Sequence, residues 1–215
     1  YAGLTKPVAF LNLGGVGNIT FVDPAIDAPE KPGAVLAFDT GPANAPINDL
    51  VFSQTGDALD LGGHLASRGT VDQAFMRSFH NAVYFAKMPP KSLDRDSFTA
   101  LFKPVHAMAL TDAVATLTAC AVAGVERAFD HAPSEIAALY VCGGGRKNAT
   151  MMRMLTKNLD TDVQPAEAIG LDGDMLEAQA FGYLAVRVLR GLPTSCPTTT
   201  GVVAAVGGGQ ISQPD

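Results

Sequence analysis

Basic residues are scarce in this chain: 15 Lys and Arg stand against 21 Asp and Glu, for a formal net charge of −6. No basic cluster offers to neutralise phosphates along a polynucleotide, which argues against a general nucleic-acid binder. Cysteine is also scarce. Cys120, Cys142 and Cys196 lie far apart with no C-x-x-C spacing. An odd count without a framework fits reduced thiols of a cytoplasmic protein better than a disulfide scaffold or a zinc site. The four histidines, His64, His80, His106 and His131, show no metal-ligand spacing, so no protein metal site is assigned. Long apolar runs are missing too. The longest near the middle, Ala113 to Val125, contains Thr and Cys and lies between Asp112 and Glu126, too short to span a bilayer. No charged-then-apolar leader opens the chain, so secretion is not expected. The first residue is Tyr1 and a strand follows at once, which points to a piece of a longer polypeptide.

What is present is globular. Hydrophobic residues make up 47% of the 215 and charged ones 17%, enough for one large domain or a domain with an insert. Val8 to Leu13 predicts a buried strand stopped by Gly14-Gly15. Ile19 to Val22 predicts its hairpin partner, and Ala34 to Phe38 a third strand, the three forming an antiparallel meander. Helices are expected over Ala45–Gln54, Val71–Phe85, Asp94–Phe102 and Met108–Phe129. Ala138 to Cys142 then predicts a fourth strand, Asn148 to Leu159 a helix, Asp162 to Gln164 a short edge strand, and Gly173 to Arg190 a last helix. Strands and helices in this order predict an α/β fold with a mixed five-stranded sheet flanked by helices.

Several short motifs carry possible chemistry, each with a plainer alternative. "LNLGGVGNIT", Leu11 to Thr20, is either an ordinary glycine hairpin or a nest of backbone N–H groups for phosphate. "VCGGGRKN", Val141 to Asn148, runs from a strand through three glycines into a helix: a tight turn, or a surface flat enough to take a ribose or base. "PPKSLDRDSF", Pro89 to Phe98, offers Lys91, Ser92 and Arg95 either as a surface loop or as donors to an anionic substrate group. In "GLDGDMLEAQAFGYLAVR", Gly170 to Arg187, Asp174 and Glu177 either complement a helix dipole or face a ligand. Arg146 and Lys147 are surface charges or phosphate screens. Asp39, in "VLAFDTGPANAPINDL", is either an N-cap or a base, and its own stretch does not choose between them.

Together, "LNLGGVGNIT", "FDTGPAN", "PPKS-x-x-R", "VCGGGRKN", "GD-x-x-EAQAF-x-x-LAVR" and "GLP…P-x-TTG" occur in an order and spacing that resembles the anhydro-N-acetylmuramic acid kinase family, from about Ala9 to Gly208. The resemblance implies the C-terminal lobe of a two-lobed enzyme of the actin-like ATPase and sugar-kinase superfamily, with a helical substrate-side insert around residues 56–106. It implies ATP with Mg2+, and hydrolytic opening and phosphorylation of 1,6-anhydro-N-acetylmuramic acid to N-acetylmuramic acid 6-phosphate. By the same resemblance, Asp39 matches the general base. Gly14, Gly15 and Asn18 match a phosphate loop, and Gly143, Gly144, Gly145 and Asn148 match the nucleotide loop. Lys91, Ser92, Arg95 and Glu177 fall on the sugar side of the cleft.

Two departures stand out. Met175 occupies a position where the family usually has an acidic residue. No Gly-Thr-Ser-x-Asp-Gly phosphate loop of a preceding lobe occurs in the chain. The expectation is therefore a lobe that is inactive alone, needs the missing N-terminal lobe, and exposes apolar surface that favours a homodimer or partner. The alternatives are a non-catalytic lobe serving as a binding or assembly module, and an ATPase of the same superfamily acting on another sugar.

Overall fold

A computed structural model describes residues 3–212. Tyr1, which prompted the expectation of a longer polypeptide, lies outside them. Five strands, β1 (Val8–Leu13), β2 (Val16–Val22), β3 (Val35–Pro42), β4 (Ala138–Cys142) and β5 (Asp162–Pro165), form one sheet in the order β3-β2-β1-β4-β5. The meander β1-β2-β3 is antiparallel, whereas β4 and β5 join parallel to β1. This mixed sheet with flanking helices is α/β. The helices are α1 (Asn44–Thr55), α2 (Gln73–His80), α3 (Thr99–Phe102), α4 (Leu110–Phe129), α5 (Ala149–Asn158), α6 (Leu176–Leu189) and α7 (Pro197–Thr200).

The pleat sends alternate side chains to opposite faces. One face presents Ala9, Leu11, Leu13, Ile19, Phe21, Phe38, Leu139 and Val141, all buried against the main core. Helix α4 packs across this face and meets β2, β3, α1 and α5. Its Ala-rich sequence lets it come close. A Cβ on Gly124 would lie 2.9 Å from the carbonyl oxygen of Thr40, so only glycine fits where α4 crosses β3. Buried Thr118 satisfies its hydroxyl by donating to the carbonyl of Val114 four residues back.

Between α1 and α4 the chain winds through short turns around an aromatic cluster of Phe75, Phe79, Tyr84, Phe85, Phe98 and Phe102. Burying each such ring contributes about 2 kcal/mol. The helix expected over Val71–Phe85 is shorter than its apolar spacing predicts. Asp72 caps it, accepting from the amides of Ala74 and Phe75, and it stops at His80 before a 3-10 turn over Val83–Ala86 packs Tyr84 and Phe85 onto the cluster. Over Asp94–Phe102 only α3 is helical, because the Asp94 carboxylate takes the amide of Asp96 in a local turn. The last helix starts at Leu176 instead of Gly173, since Asp172 accepts the amides of Asp174 and Met175 in a preceding turn.

Candidate active site

The sheet face away from α4 carries the polar residues. Asn12, Asn18 and Asp39 lie side by side on adjacent strands there, with Asn12 opposite Asn18 across β1-β2 and Asn18 opposite Asp39 across β2-β3. The last pairing depends on a β-bulge. Gly17 pairs with Gly41, so a regular ladder would set Thr40 against Asn18; the register shift leaves Thr40 over and brings Asp39 into line. Thr40 is buried on the other side.

Asp39 is not a helix cap. Helix α1 starts after Ala43 with no side-chain cap, and its first amides are taken by the hairpin: Ala43 and Ala45 donate to the carbonyl of Gly15, and Asn44 to that of Gly14. The Asn44 side chain adds a bond to the carbonyl of Leu13. The carbonyl side of the Gly14-Gly15 turn thus anchors α1.

Instead, the Asp39 carboxylate is gripped from two directions. Asn18 Nδ2 donates to Oδ1 at 2.9 Å, and the amide of Leu93 donates to Oδ2 at 2.7 Å. Its own amide donates to the carbonyl of Lys91 at 3.0 Å, and the Tyr84 hydroxyl donates to its carbonyl. Burial, and then the Asp39 charge, push the Tyr84 hydroxyl above its ordinary value, so it stays a proton donor. An ionised carboxylate has about four acceptor positions, and two donors leave room for a water or hydroxyl.

The glycine loop after β4 lies beside this face. Gly143 has φ 71°, and a Cβ there would stand 2.3 Å from Asn12 Oδ1 and 2.9 Å from the carbonyl oxygen of Leu13. Only glycine lets the loop settle against the end of β1. Gly144 and Gly145 continue into a 3-10 turn that leads to α5. Asn148 caps α5, its Oδ1 accepting from the amide of Met151 at 3.0 Å, so its side chain is engaged in building the helix.

The charges after the loop brace it. The Arg146 side chain, only 7% exposed, donates to the Gly143 carbonyl and pairs with Glu167 and Asp174, each at 2.9 Å. Lys147 also reaches Asp174, at 2.8 Å. Hydrogen bonds from Arg146 and Lys147 hold Asp174 well below the usual carboxylate range. Arg146 is thus a buried strut between the glycine loop and the turn before α6. The sequence alone gives no sign of this, because Gly173, against which the guanidinium lies, is distant in the chain.

The other expected site residues are spread out. The Lys91 ammonium sits over the rings of Tyr84 (4.8 Å) and Phe38 (5.7 Å). Burial, followed by repulsion from Arg127 and Lys87, lowers its pKa. Arg95 pairs with Asp49 of α1 at 2.6 Å, and Ser92 is exposed. Glu177 lies in the exposed first turn of α6, and no hydrogen bond ties it to Asp39 or the glycine loops among the described residues. What the loop at Pro89 to Phe98 brings to Asp39 is its main chain, at Lys91 and Leu93. Sequence reasoning passed over Asn12 and Tyr84. Alternation along β1 could have found Asn12, since it shares a face with Phe10, but nothing local marks Tyr84. Among the described residues no group of three or more His, Cys, Asp or Glu could hold a metal ion, and no helix is long and apolar enough to cross a membrane.

Comparison with known proteins gives this face a context. The anhydro-N-acetylmuramic acid kinase of Ruegeria sp. is 55% identical over 215 residues, covering all of this chain and 57% of the relative. That of Roseobacter denitrificans is 57% identical over 214 residues, with the same coverage. The chain thus spans little more than half the length of these relatives. Among solved structures it is similar to the activator of the 2-hydroxyisocaproyl-CoA dehydratase from Clostridium difficile with bound ADPNP. That match has a TM-score of 0.45 and 11% identity, over 82% of this chain and 63% of the other. The family model for anhydro-N-acetylmuramic acid kinase matches residues 2–213, and the chain belongs to that family.

Proposed function

We propose that the longer protein to which this chain corresponds is a cytoplasmic, ATP-dependent kinase. It would open 1,6-anhydro-N-acetylmuramic acid with water and deliver N-acetylmuramic acid 6-phosphate, with the chain acting as its C-terminal lobe. Family membership supports the reaction class. The observation that carries the reading is Asp39, a carboxylate held by two donors on the polar face beside the Gly143 loop.

In this reading Asp39 accepts a proton from the water that attacks the anomeric carbon. As the anhydro bridge opens, its 6-oxygen leaves the anomeric carbon and takes the γ-phosphoryl group of ATP. Gly143 to Gly145 and the hairpin at Gly14-Gly15 present main chain, free of side-chain bulk, to the nucleotide. Phosphoryl transfer relies mostly on positioning and charge stabilisation, which suits a site built of glycine loops. Asn12, Asn18 and Asp39 provide too few charged oxygens for a dedicated cage, so Mg2+ would be held chiefly through the ATP phosphates. The ion would supply charge neutralisation on the transferring group.

The remaining length of the relatives would supply the facing lobe and the rest of the sugar pocket, leaving this chain inactive alone. The exposed apolar side chains of α6 favour contact with that lobe or with a second copy. The same surface also supports a second reading, a binding or assembly module.

The test incubates the full-length protein, and separately this chain, with ATP and the anhydro sugar, and follows ADP and phosphosugar by mass spectrometry. Turnover by the full-length protein alone is expected. A full-length protein that binds ATP yet forms no phosphosugar overturns the kinase reading.

A further inference from the structure

We infer that Asn18 and Tyr84 are positioning residues that fix Asp39, and that Asn18 acts on the carboxylate in place of binding phosphate. This rests on the reading of Asp39 as the base and extends it to the residues that aim it.

An aspartate side chain turns about two bonds, so a single donor would leave its plane free to swing. Here the two donors sit on different oxygens, Asn18 Nδ2 on Oδ1 and the Leu93 amide on Oδ2, which fixes both rotations. They come from separate parts of the chain, the β1-β2 hairpin and the segment that follows Pro90. Asn18 is chemically suited because only its amide nitrogen can donate to a carboxylate; turned over, its oxygen would face another acceptor. The bulge that leaves Thr40 unpaired places Asp39 opposite Asn18, so the backbone irregularity and the side-chain bond serve one geometry.

Tyr84 secures the main chain beneath. Its ring packs against Phe85 and Phe98, and its hydroxyl donates to the Asp39 carbonyl. The Lys91 carbonyl takes the Asp39 amide on the same stretch. The aromatic cluster therefore reaches Asp39 through one phenol and a short backbone pairing, and no cluster side chain has to enter the polar face. This explains why a segment whose own charged side chains point to other partners still belongs beside Asp39.

The test uses the full-length protein with Asn18→Ala, Asn18→Ser, Tyr84→Phe and Asp39→Asn, each checked for folding by thermal melting. Loss of aim should lower kcat about 100-fold in Asn18→Ala. The missing phenol bond should lower it about tenfold in Tyr84→Phe. The KM for ATP should stay within about twofold in both, since the nucleotide loop is untouched. Asn18→Ser, which keeps a shorter donor, should recover part of the loss. A raised KM for ATP with kcat unchanged in Asn18→Ala overturns the proposal and makes Asn18 a phosphate contact. Asp39→Asn separates the two levels: if it retains wild-type turnover, the base reading itself falls; if it abolishes turnover while the Asn18 and Tyr84 variants run at wild-type rate, only the positioning proposal falls.

Discussion

Helices α4 and α6 are both rich in Ala, Val and Leu, yet they have opposite surroundings. Fourteen residues of α4 are buried, and it touches the sheet, α1, α2 and α5. Of the 14 residues of α6 only Arg187 is buried, while Phe181 and Leu189 are each 66% exposed. Composition alone does not separate them. The difference lies in what holds each one: α4 is fixed by apolar packing, and α6 by a few polar ties. Arg187 pairs with Glu30 at 2.8 Å and also donates to the carbonyl of Pro193, while Asp174, just before α6, is clamped by Arg146 and Lys147. Packing and ion pairs respond differently to substitution, acid and salt, so the contrast can be tested.

The largest effect is expected in α4. Leu117 is 2% exposed within the main core, and Leu117→Ala should destabilise the chain by about 3 kcal/mol, the sum of lost transfer energy and residual cavity. Urea unfolding would measure it. Phe181→Ala on α6 removes a larger side chain and should cost less than about 0.5 kcal/mol. Equal losses would mean that α6 packs within the chain as α4 does.

The contrast also marks what could be read from the amino acids. Strands β1 and β4 match their expected spans because a buried strand is a short apolar run bounded by glycine, a wholly local pattern. Helix α4 was legible for the same reason, its period persisting over 20 residues. The ends of α2, α3 and α6 were not, since Asp72, Asp94 and Asp172 draw nearby amides into caps and turns. At the candidate site, Asp39 and the glycine loops stand out in sequence because turns and carboxylates are local features. The grip on Asp39 does not, because Asn18, Tyr84 and Leu93 come from 21, 45 and 54 residues away. That grip also depends on a bulge that no residue type announces. Likewise Arg146 looks like a surface charge until Glu167 and Asp174 converge on it.

A smaller effect should follow acidification, confined to the α6 side. Asp174 has a folded-state pKa held down by Arg146 and Lys147, and Glu167 is lowered by a main-chain bond and by Arg146. A carboxylate with a depressed folded pKa binds fewer protons folded than unfolded. Its stabilising contribution is therefore complete above the ordinary carboxylate value, about 4, and is lost as the pH falls through the folded value. Amide exchange protection across the Gly173 turn and the start of α6 should drop below about pH 4, while protection in α4 holds to lower pH. Asp174→Asn should loosen the same region already at neutral pH and flatten its response to acid. Uniform loss of protection in both helices would show that the ion pairs do not set α6 apart.

The smallest change in stability belongs to the exposed face of α6, where the consequence should lie in association. Phe181, Val186 and Leu189 present exposed apolar side chains on α6. Water tolerates such side chains singly, but a helix that carries several gains by covering them. Phe181→Ser with Leu189→Ser should leave the urea unfolding free energy of this chain nearly unchanged, within about 0.5 kcal/mol, because neither side chain has a packed environment to lose. The same pair should reduce self-association in sedimentation velocity. In the full-length protein it should cost stability if the additional chain packs on α6, and that comparison shows which occupant the face serves. If the pair instead unfolds the isolated chain, the exposed face is part of its own core, and α4 and α6 are stabilised alike.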